Sequence, residues 1–423
     1  MTLTATLANF IVTAQPTEGA RAVMRQSLYD WMACGIAGAS EPVSAIIRAQ
    51  VLAEGGASDA LLFGGGKVPA RAAALANGTI SHALDYDDTH FAHIGHPSVA
   101  VFPAVFASGA DAGEACLDAA LIGAEISVRI GQWLGREHYQ TGFHQTATAG
   151  AFGATAAVAR LRSLNEAQIE HAIGIASTKA AGLKSQFGTM GKPLNAGLAA
   201  ECGVVAADLA RRGFLSNPRA LDDPQGFGPT HNGAGDLTAF DMLGATWLME
   251  SVSHKLHACC HGLHAMIEAL GSLNLTADNV AEVIISTHPR WLTVCNISDP
   301  TSGLEAKFSY RQAAAMVLRG LNTADTANFS EETATDPKLV DLRKRIIVHS
   351  DESASETEAT VKVTTNAGNV LTARHDLMSE ISLDEKWQKL RRKGRALVGE
   401  SVENLLYKAT AKHVNADALM DLM

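Results

Sequence analysis

The sequence has no long uninterrupted apolar run, little cysteine and no concentrated basic surface, and each absence removes a class of function. A membrane-spanning helix needs about 18 or more consecutive apolar residues. The nearest approach, Cys116 to Ile130, is interrupted by Asp118, Glu125 and Arg129, so no membrane association is expected. Six cysteines in 423 residues are too sparse for a disulfide framework and fit a reducing compartment. The first residues lack the basic stretch, apolar core and small-residue cleavage site of a secretory signal, so a cytoplasmic location is expected. A formal net charge of −10 argues against a nucleic-acid partner, which an acidic protein attracts only through a strong local basic patch. The densest basic run, Lys386 to Arg395, interleaves with apolar residues and reads as a solvated helix face.

Cofactor motifs are missing too. Gly64 to Val68 is not a phosphate-binding loop, because Leu61 stands in place of the first glycine and Val68 in place of the Ser or Thr. No G-x-G-x-x-G follows a strand, so a nicotinamide or flavin site has no support. No sequence repeat occurs at solenoid spacing.

What is present is a chain with 47% hydrophobic residues, enough for a sizeable core and for two domains. From the start to residue 247 it is rich in Ala, Gly and Leu in helical patterns: 19–37, 43–53, 70–83, 114–134, 144–161, 166–181 and 195–212, with breaks at Gly and Pro. In the fourth of these, Glu125 and Arg129 stand four apart and can pair on one face. After Trp247 the pattern changes. Residues 280–288, 346–349 and 359–365 alternate and are β-branched, and Asn366 to Asn369 carries a hairpin turn signal. Helices are interleaved at 261–272 and 309–319. The expected fold is mainly α: a large all-α domain (1–247), a smaller α+β domain (248–378), and C-terminal helices (379–423) returning to the first.

Polar residues are concentrated in a few islands. Asn77 to Pro97, NGTISHALDYDDTHFAHIGHP, carries four histidines and three aspartates between nearly apolar flanks. YQTGFHQTAT places His144 before a small-residue helix, FGTMGKPLN presents Lys192, HKLHACCHGLH presents Lys255 beside Cys259 and Cys260, and KFSYR presents Tyr310. Histidine and a perturbed aspartate suit proton abstraction next to a carboxylate. Lysines in a desolvated site stabilise the resulting carbanion or enolate. These groups imply a small polycarboxylate substrate. Metal binding is the rival chemistry, since His254, His257, His261 and His264 recur at spacings of three and four. The pattern is neither H-E-x-x-H nor paired C-x-x-C, and adjacent Cys259 and Cys260 cannot readily face one ion. No metal is expected.

Taken in order, NGTISHALDYDDTHFAHIGHPS, GFHQTATAGAFGA, FGTMGKPLNAGLAA, KLHACC followed by HGLH, and EAKFSY resemble the MmgE/PrpD family of 2-methylcitrate dehydratases, cis-aconitate decarboxylases and iminodisuccinate epimerases. The resemblance covers nearly the whole chain and is specific for the family rather than for a substrate. It implies a large all-α domain with an inserted α+β lid, a homodimer, and a cleft between the domains that uses neither metal nor organic cofactor. By motif it implies site roles for Asp85, Thr89, His96, His144, Lys192, Lys255 and Tyr310. Departures are visible. The Asp85 to His96 spacing is one residue longer than in the decarboxylases, so His93 competes for that histidine role. Cys260 replaces a histidine of the decarboxylase branch, Gln145 and Ala258 stand where proline is usual, and Tyr310 directly follows Ser309. The expectation is a cofactor-independent lyase for a small di- or tricarboxylate, with Asp85, His96, His144, Lys192, Lys255 and Tyr310 catalytic and Thr89, His93 and Cys260 substrate-binding. An epimerase using the same groups, or a catalytically silent dimeric binding protein, are the alternatives.

Overall fold

The computed structural model describes residues 2–109 and 113–423. The protein is mainly α-helical and divides into two compact units, Met1–His254 with Val398–Met423, and Lys255–Leu397.

The first unit contains α1 (Leu3–Thr13), α2 (Glu18–Gly38), α3 (Pro42–Glu54), α4 (Ala70–Ser81), α5 (Val101–Gly109), α6 (Glu114–Thr141), α7 (Gln145–Leu161), α8 (Glu166–Lys179) and α9 (Gly191–Arg211). Local chemistry starts several of them. The Thr2 and Thr17 hydroxyls accept from the backbone N–H groups of Ala5 and Ala20, and Asn165 with Gln168 forms a reciprocal capping box at α8. Trp31 of α2 is buried against Phe63, Phe102 and Phe106, with ring centroids 5.2, 5.4 and 5.2 Å away. Burial of each such side chain contributes about 1.5–3 kcal/mol.

Small residues decide how closely the helices approach. A Cβ on Gly78 of α4 would lie 2.8 Å from the Cα of Gly197 on α9, and one on Gly197 would lie 2.2 Å from the Leu75 carbonyl oxygen. The two backbones therefore touch, and no larger residue fits at either position. That crossing sets the end of α4 beside the start of α9. Within α6, Gly135 has φ 75° and ψ −176° and breaks the helical ladder. Gln145 repairs the break, its Nε2 donating to the carbonyls of Gly131 (3.0 Å) and Gly135 (3.1 Å). The expected Glu125–Arg129 pair of α6 is present, buried, at 2.7 Å.

The second unit is built on a four-stranded sheet of β1 (Val280–Thr287), β2 (Ile346–Ser350), β3 (Glu358–Thr365) and β4 (Val370–Asp376), in the order β2-β1-β3-β4. β1 pairs parallel with β2, Val283 opposite Ile346, and antiparallel with β3, Ile285 opposite Val361; β4 closes a hairpin on β3. Val283, Ile285, Val361 and Val363 are buried, the alternation of a sheet covered on one face. Helices α10 (His264–Ser272), α11 (Tyr310–Leu318) and α12 (Pro337–Arg343) belong to this unit. Helix α13 (Leu383–Thr410) carries the chain from the second unit back to the first, interrupted by Gly399 at φ 77°.

Several elements differ from expectation: α12 was not predicted and α6 continues to Thr141. α1 and α5 were not predicted, and α9 begins at Gly191 rather than Asn195, because proline is compatible with a first helical turn and Pro193 sits there. The basic run 386–395 is not wholly a solvated face, since Lys393 is buried.

Candidate active site

The end of α4 gives way at His82 to an irregular segment whose polar side chains turn inward. Asp85 adopts φ 51°, in the left-handed region that a short polar residue tolerates better than a branched one. Its Oδ1 lies 2.5 Å from the Nζ of Lys192 and 3.2 Å from the Nε2 of His96. Lys192 occupies the first turn of α9, so the backbone contact at Gly78 and Gly197 is what delivers this ammonium to Asp85. The other nitrogen of His96, Nδ1, is 2.8 Å from Oδ2 of Asp87, and the Nδ1 of His82 is 2.7 Å from Oδ1 of the same carboxylate. The backbone N–H of His96 donates to Thr146 Oγ1 at 3.0 Å, tying the segment to α7.

His144 sits at the N-cap of α7, where its N–H donates to the Gly182 carbonyl at 3.0 Å. Asn195 Nδ2 donates to Nδ1 of His144 (3.1 Å) and to the Leu183 carbonyl (3.3 Å). A carbonyl only accepts, so this amide nitrogen is the donor and Nδ1 the acceptor, which leaves the proton of neutral His144 on Nε2. Phe187 meets the His144 ring edge to face at 5.0 Å and lies 5.3 Å from the Lys192 ammonium.

The electrostatics follow from burial and charge. Burial holds His144 well below the usual imidazole range, with Lys192, His82 and His96 adding to it. Burial also lowers His82, against the pull of Asp87. For Asp87, burial by itself favours the protonated acid, but the His82 and His96 imidazoles outweigh it and keep the carboxyl well below its ordinary range. The cluster thus holds a buried anion, a half-exposed carboxylate, an ammonium and three imidazoles. Such a group can place negative charge and move a proton beside it.

The remaining expected residues fall elsewhere. Thr89 pairs through its backbone with Ser253, and its hydroxyl lies 3.3 Å from the Ser253 carbonyl. His93 packs its ring on Gly131 and Gly95, with Nε2 3.1 Å from Ser127 Oγ, and burial lowers it to about 3. Lys255, Cys260 and Tyr310 belong to the second unit. Lys255 is buried, and the N–H of Cys260 donates to the Lys307 carbonyl at 2.9 Å. The Tyr310 hydroxyl donates to the Gly262 carbonyl at 2.7 Å and lies 3.0 Å from Thr287 Oγ1; burial raises it above the usual phenol range. The N–H of Ala258 donates to the Thr323 carbonyl at 2.8 Å, a bond that proline cannot make.

The spacing of His254, His257, His261 and His264 does not translate into a shared ion site. His254 turns to Ser27 in the first unit, 3.1 Å away, whereas His257 is held by Thr323 (2.7 Å) and Glu268 (3.2 Å). Among the described residues, the group of potential ligands within 4.8 Å of one another is instead His82, Asp87 and His96, and both carboxylate oxygens there already face imidazoles. His82 and Asp87 are the members of the cluster that sequence reasoning did not select. Their shared segment was visible, but nothing in residue spacing shows that the turn at Asp85 brings position 87 between two rings.

The class of protein is thereby defined: a helical scaffold carrying a carboxylate–imidazole–ammonium cluster at a helix-to-helix crossing. Residues 5–238 match the MmgE/PrpD N-terminal domain and residues 257–413 the MmgE/PrpD C-terminal domain. The chain belongs to the MmgE/PrpD family. It is 30% identical over 305 residues to a cis-aconitate decarboxylase-like protein of Aspergillus oryzae, covering 64% of this chain and 61% of that protein. It is 31% identical over 265 residues to a cis-aconitate decarboxylase of Aspergillus terreus, covering 58% of this chain and 54% of the relative. The human cis-aconitate decarboxylase is 26% identical over 372 residues, covering 80% of this chain and 76% of that protein. The chain thus spans under two thirds of the length of the two Aspergillus proteins. No helix among the described residues is long and apolar enough to cross a membrane.

Proposed function

We propose that the protein is a cofactor-independent lyase acting on a small di- or tricarboxylate, with decarboxylation of a cis-aconitate-like acid as its leading reaction. The observation that carries this reading is the single oxygen of Asp85 held between the Lys192 ammonium and the His96 imidazole, a place where a carboxylate is already accommodated. A substrate carboxylate would share or take over that position. Loss of carbon dioxide breaks a carbon–carbon bond and leaves the electron pair on carbon, delocalised into a neighbouring carboxylate. Lys192 stabilises that charge, and His96 returns a proton from Nε2, the nitrogen that faces Asp85. His144, with its proton on Nε2, donates a hydrogen bond to a substrate oxygen, and Thr89 is carried over from the family pattern as a further contact.

Lys255 is carried over as a second carboxylate-holding group, in an α+β unit that takes the place of the family's lid. Cys260, near it in sequence, replaces the imidazole of the decarboxylase branch. The Tyr310 hydroxyl is committed to the Gly262 carbonyl, which favours an anchoring role for it over proton donation. The substitution at Cys260 favours a second reading in which the same groups eliminate water from, or epimerise, a different small acid. A homodimer accompanies the proposal from the family pattern.

Incubation with citrate, 2-methylcitrate, cis-aconitate and iminodisuccinate, followed by proton NMR in deuterated water, distinguishes the reactions in one panel. Decarboxylation of cis-aconitate supports the leading reading. Elimination from a citrate, or exchange at carbon without net loss, selects the second, and binding with no turnover selects a silent protein.

A further inference from the structure

Two adjacent aspartates of the histidine-rich segment are used in opposite ways. Asp88 behaves as a loop-shaping residue: it takes the N–H of Ser98 at 3.3 Å and its hydroxyl at 2.6 Å, with Ser27 as a further donor. Asp87 contacts no such group. Its two oxygens face two imidazoles, Oδ1 at 2.7 Å from His82 and Oδ2 at 2.8 Å from His96, and the three side chains are 2%, 0% and 8% exposed for Asp87, His82 and His96. Both contacts are made through Nδ1. An ionised carboxylate only accepts, so His82, whose contact has hydrogen-bond geometry, turns an Nδ1–H toward Asp87; His96 brings Nδ1 to the same carboxylate at ion-pair distance without completing a hydrogen bond, and each ring presents Nε2 on its far side. For His96 that far side is the Asp85 oxygen at 3.2 Å. For His82 it is a buried position where Nε2 has no hydrogen-bond partner. An unpartnered buried nitrogen is unfavourable, so the orientation of His82 is set by what its other nitrogen does for Asp87.

We propose that Asp87 is a positioning residue that orients the His96 ring and favours a proton on its Nδ1, so that Nε2 faces Asp85 and passes the second, mobile proton, and that His82 is the second arm that holds Asp87 in place. The arrangement follows the logic by which a buried carboxylate orients a proton-carrying histidine through Nδ1 and leaves Nε2 for the reacting partner. Both are assigned to act through His96, the ring that reaches Asp85. The kinetic consequence rests on the lyase reading, whereas the tautomer itself does not.

The test uses the full chain with ring-15N-labelled histidine, its His96 and His82 signals assigned with His96→Gln and His82→Asn. In the wild-type protein His96 is expected to show a protonated Nδ1. Asp87→Asn keeps the shape but replaces an acceptor with a donor, so the His96 signals should move toward the opposite tautomer or a mixture. On whichever carboxylate the wild type turns over, kcat should fall by about 10²- to 10⁴-fold, the scale of losing an orienting aspartate, with KM changed less than about threefold. His82→Asn places an amide nitrogen near the Nδ1 position and should retain far more activity than His82→Leu, which leaves one Asp87 oxygen bare. An unprotonated Nδ1 on His96 in the wild type overturns the proposal even if no variant folds, as do unchanged His96 signals or unchanged kcat in folded Asp87→Asn. If the wild type turns over no carboxylate while Asp87→Asn still moves the His96 signals, the lyase reading fails and the positioning role stands.

Discussion

Two segments of this protein carry four histidines each, 82–96 and 254–264, and the structure uses them differently. In the first, His82 and His96 converge on Asp87, and His96 continues to Asp85 and Lys192. In the second, His254 departs to Ser27 and His257 is clamped by Thr323 and Glu268, which also holds Lys389 at 2.7 Å. The difference is where the carboxylates stand. Asp85 and Asp87 are interleaved with the histidines, so one imidazole has a carboxylate on each nitrogen. Glu268 lies on α10, outside that segment, and closes a structural ion pair. Histidine density alone does not distinguish the two segments; a histidine between two carboxylates, one of them paired with a lysine ammonium, does.

The comparison breaks most visibly at the cations. Lys192→Ala should lower kcat/KM by about 10²- to 10³-fold or more, the scale of removing one electrostatic stabiliser, with an unchanged melting temperature in a thermal scan. Unchanged turnover would remove Lys192 from the chemistry. In the second segment the expected effect is reversed. Glu268→Gln should cost about 1–3 kcal/mol of stability by urea unfolding, since it leaves His257 and Lys389 without their anion, while kcat stays within about threefold. A large loss of kcat there would mean that both segments are catalytic.

The pH dependence of stability sharpens the contrast. Burial of Glu268 favours the neutral acid, but His257 and Lys389 prevail and hold the carboxyl far below its usual range. Its contribution is therefore complete above the unfolded carboxylate pKa of about 4.3 and fades as pH falls below it. Burial acts oppositely on His90 and His138, both lowered to about 4. Between pH 4 and about 6.5 the unfolded chain binds protons that these folded rings refuse, so stability falls as pH drops through that window. Urea unfolding at pH 7.5 and 5 should show the loss, and His90→Asn should reduce its size. A smaller effect is expected at Gln145, where Gln145→Ala frees the carbonyls of Gly131 and Gly135 at the α6 break and should cost about 1 kcal/mol in the same assay.

Much of the scaffold was legible from the sequence. Helices α2, α3, α4, α7 and α8 and strands β1, β2 and β3 follow from periodicity and from Gly and Pro punctuation, because tertiary packing agrees with local pattern there. α5 was not, since VFPAVFASG is apolar throughout and such a run does not distinguish helix from strand. For the site, motif resemblance named Asp85, His96, His144 and Lys192, and the structure brings these four together. His82 and Asp87 escaped because their partnership is created by a left-handed residue, Asp85 at φ 51°, and by the glycine contact between α4 and α9. Those are through-space consequences of two close backbones, with no periodic trace in the chain.

The most direct measurement is solvent deuterium incorporation during incubation of cis-aconitate with the wild-type protein and with His96→Gln. The account predicts loss of carbon dioxide with one solvent deuterium entering the product per turnover, and a collapse of that incorporation in His96→Gln. Undiminished incorporation in the variant would contradict the assignment of proton transfer to the cluster around Asp85, His96 and Lys192.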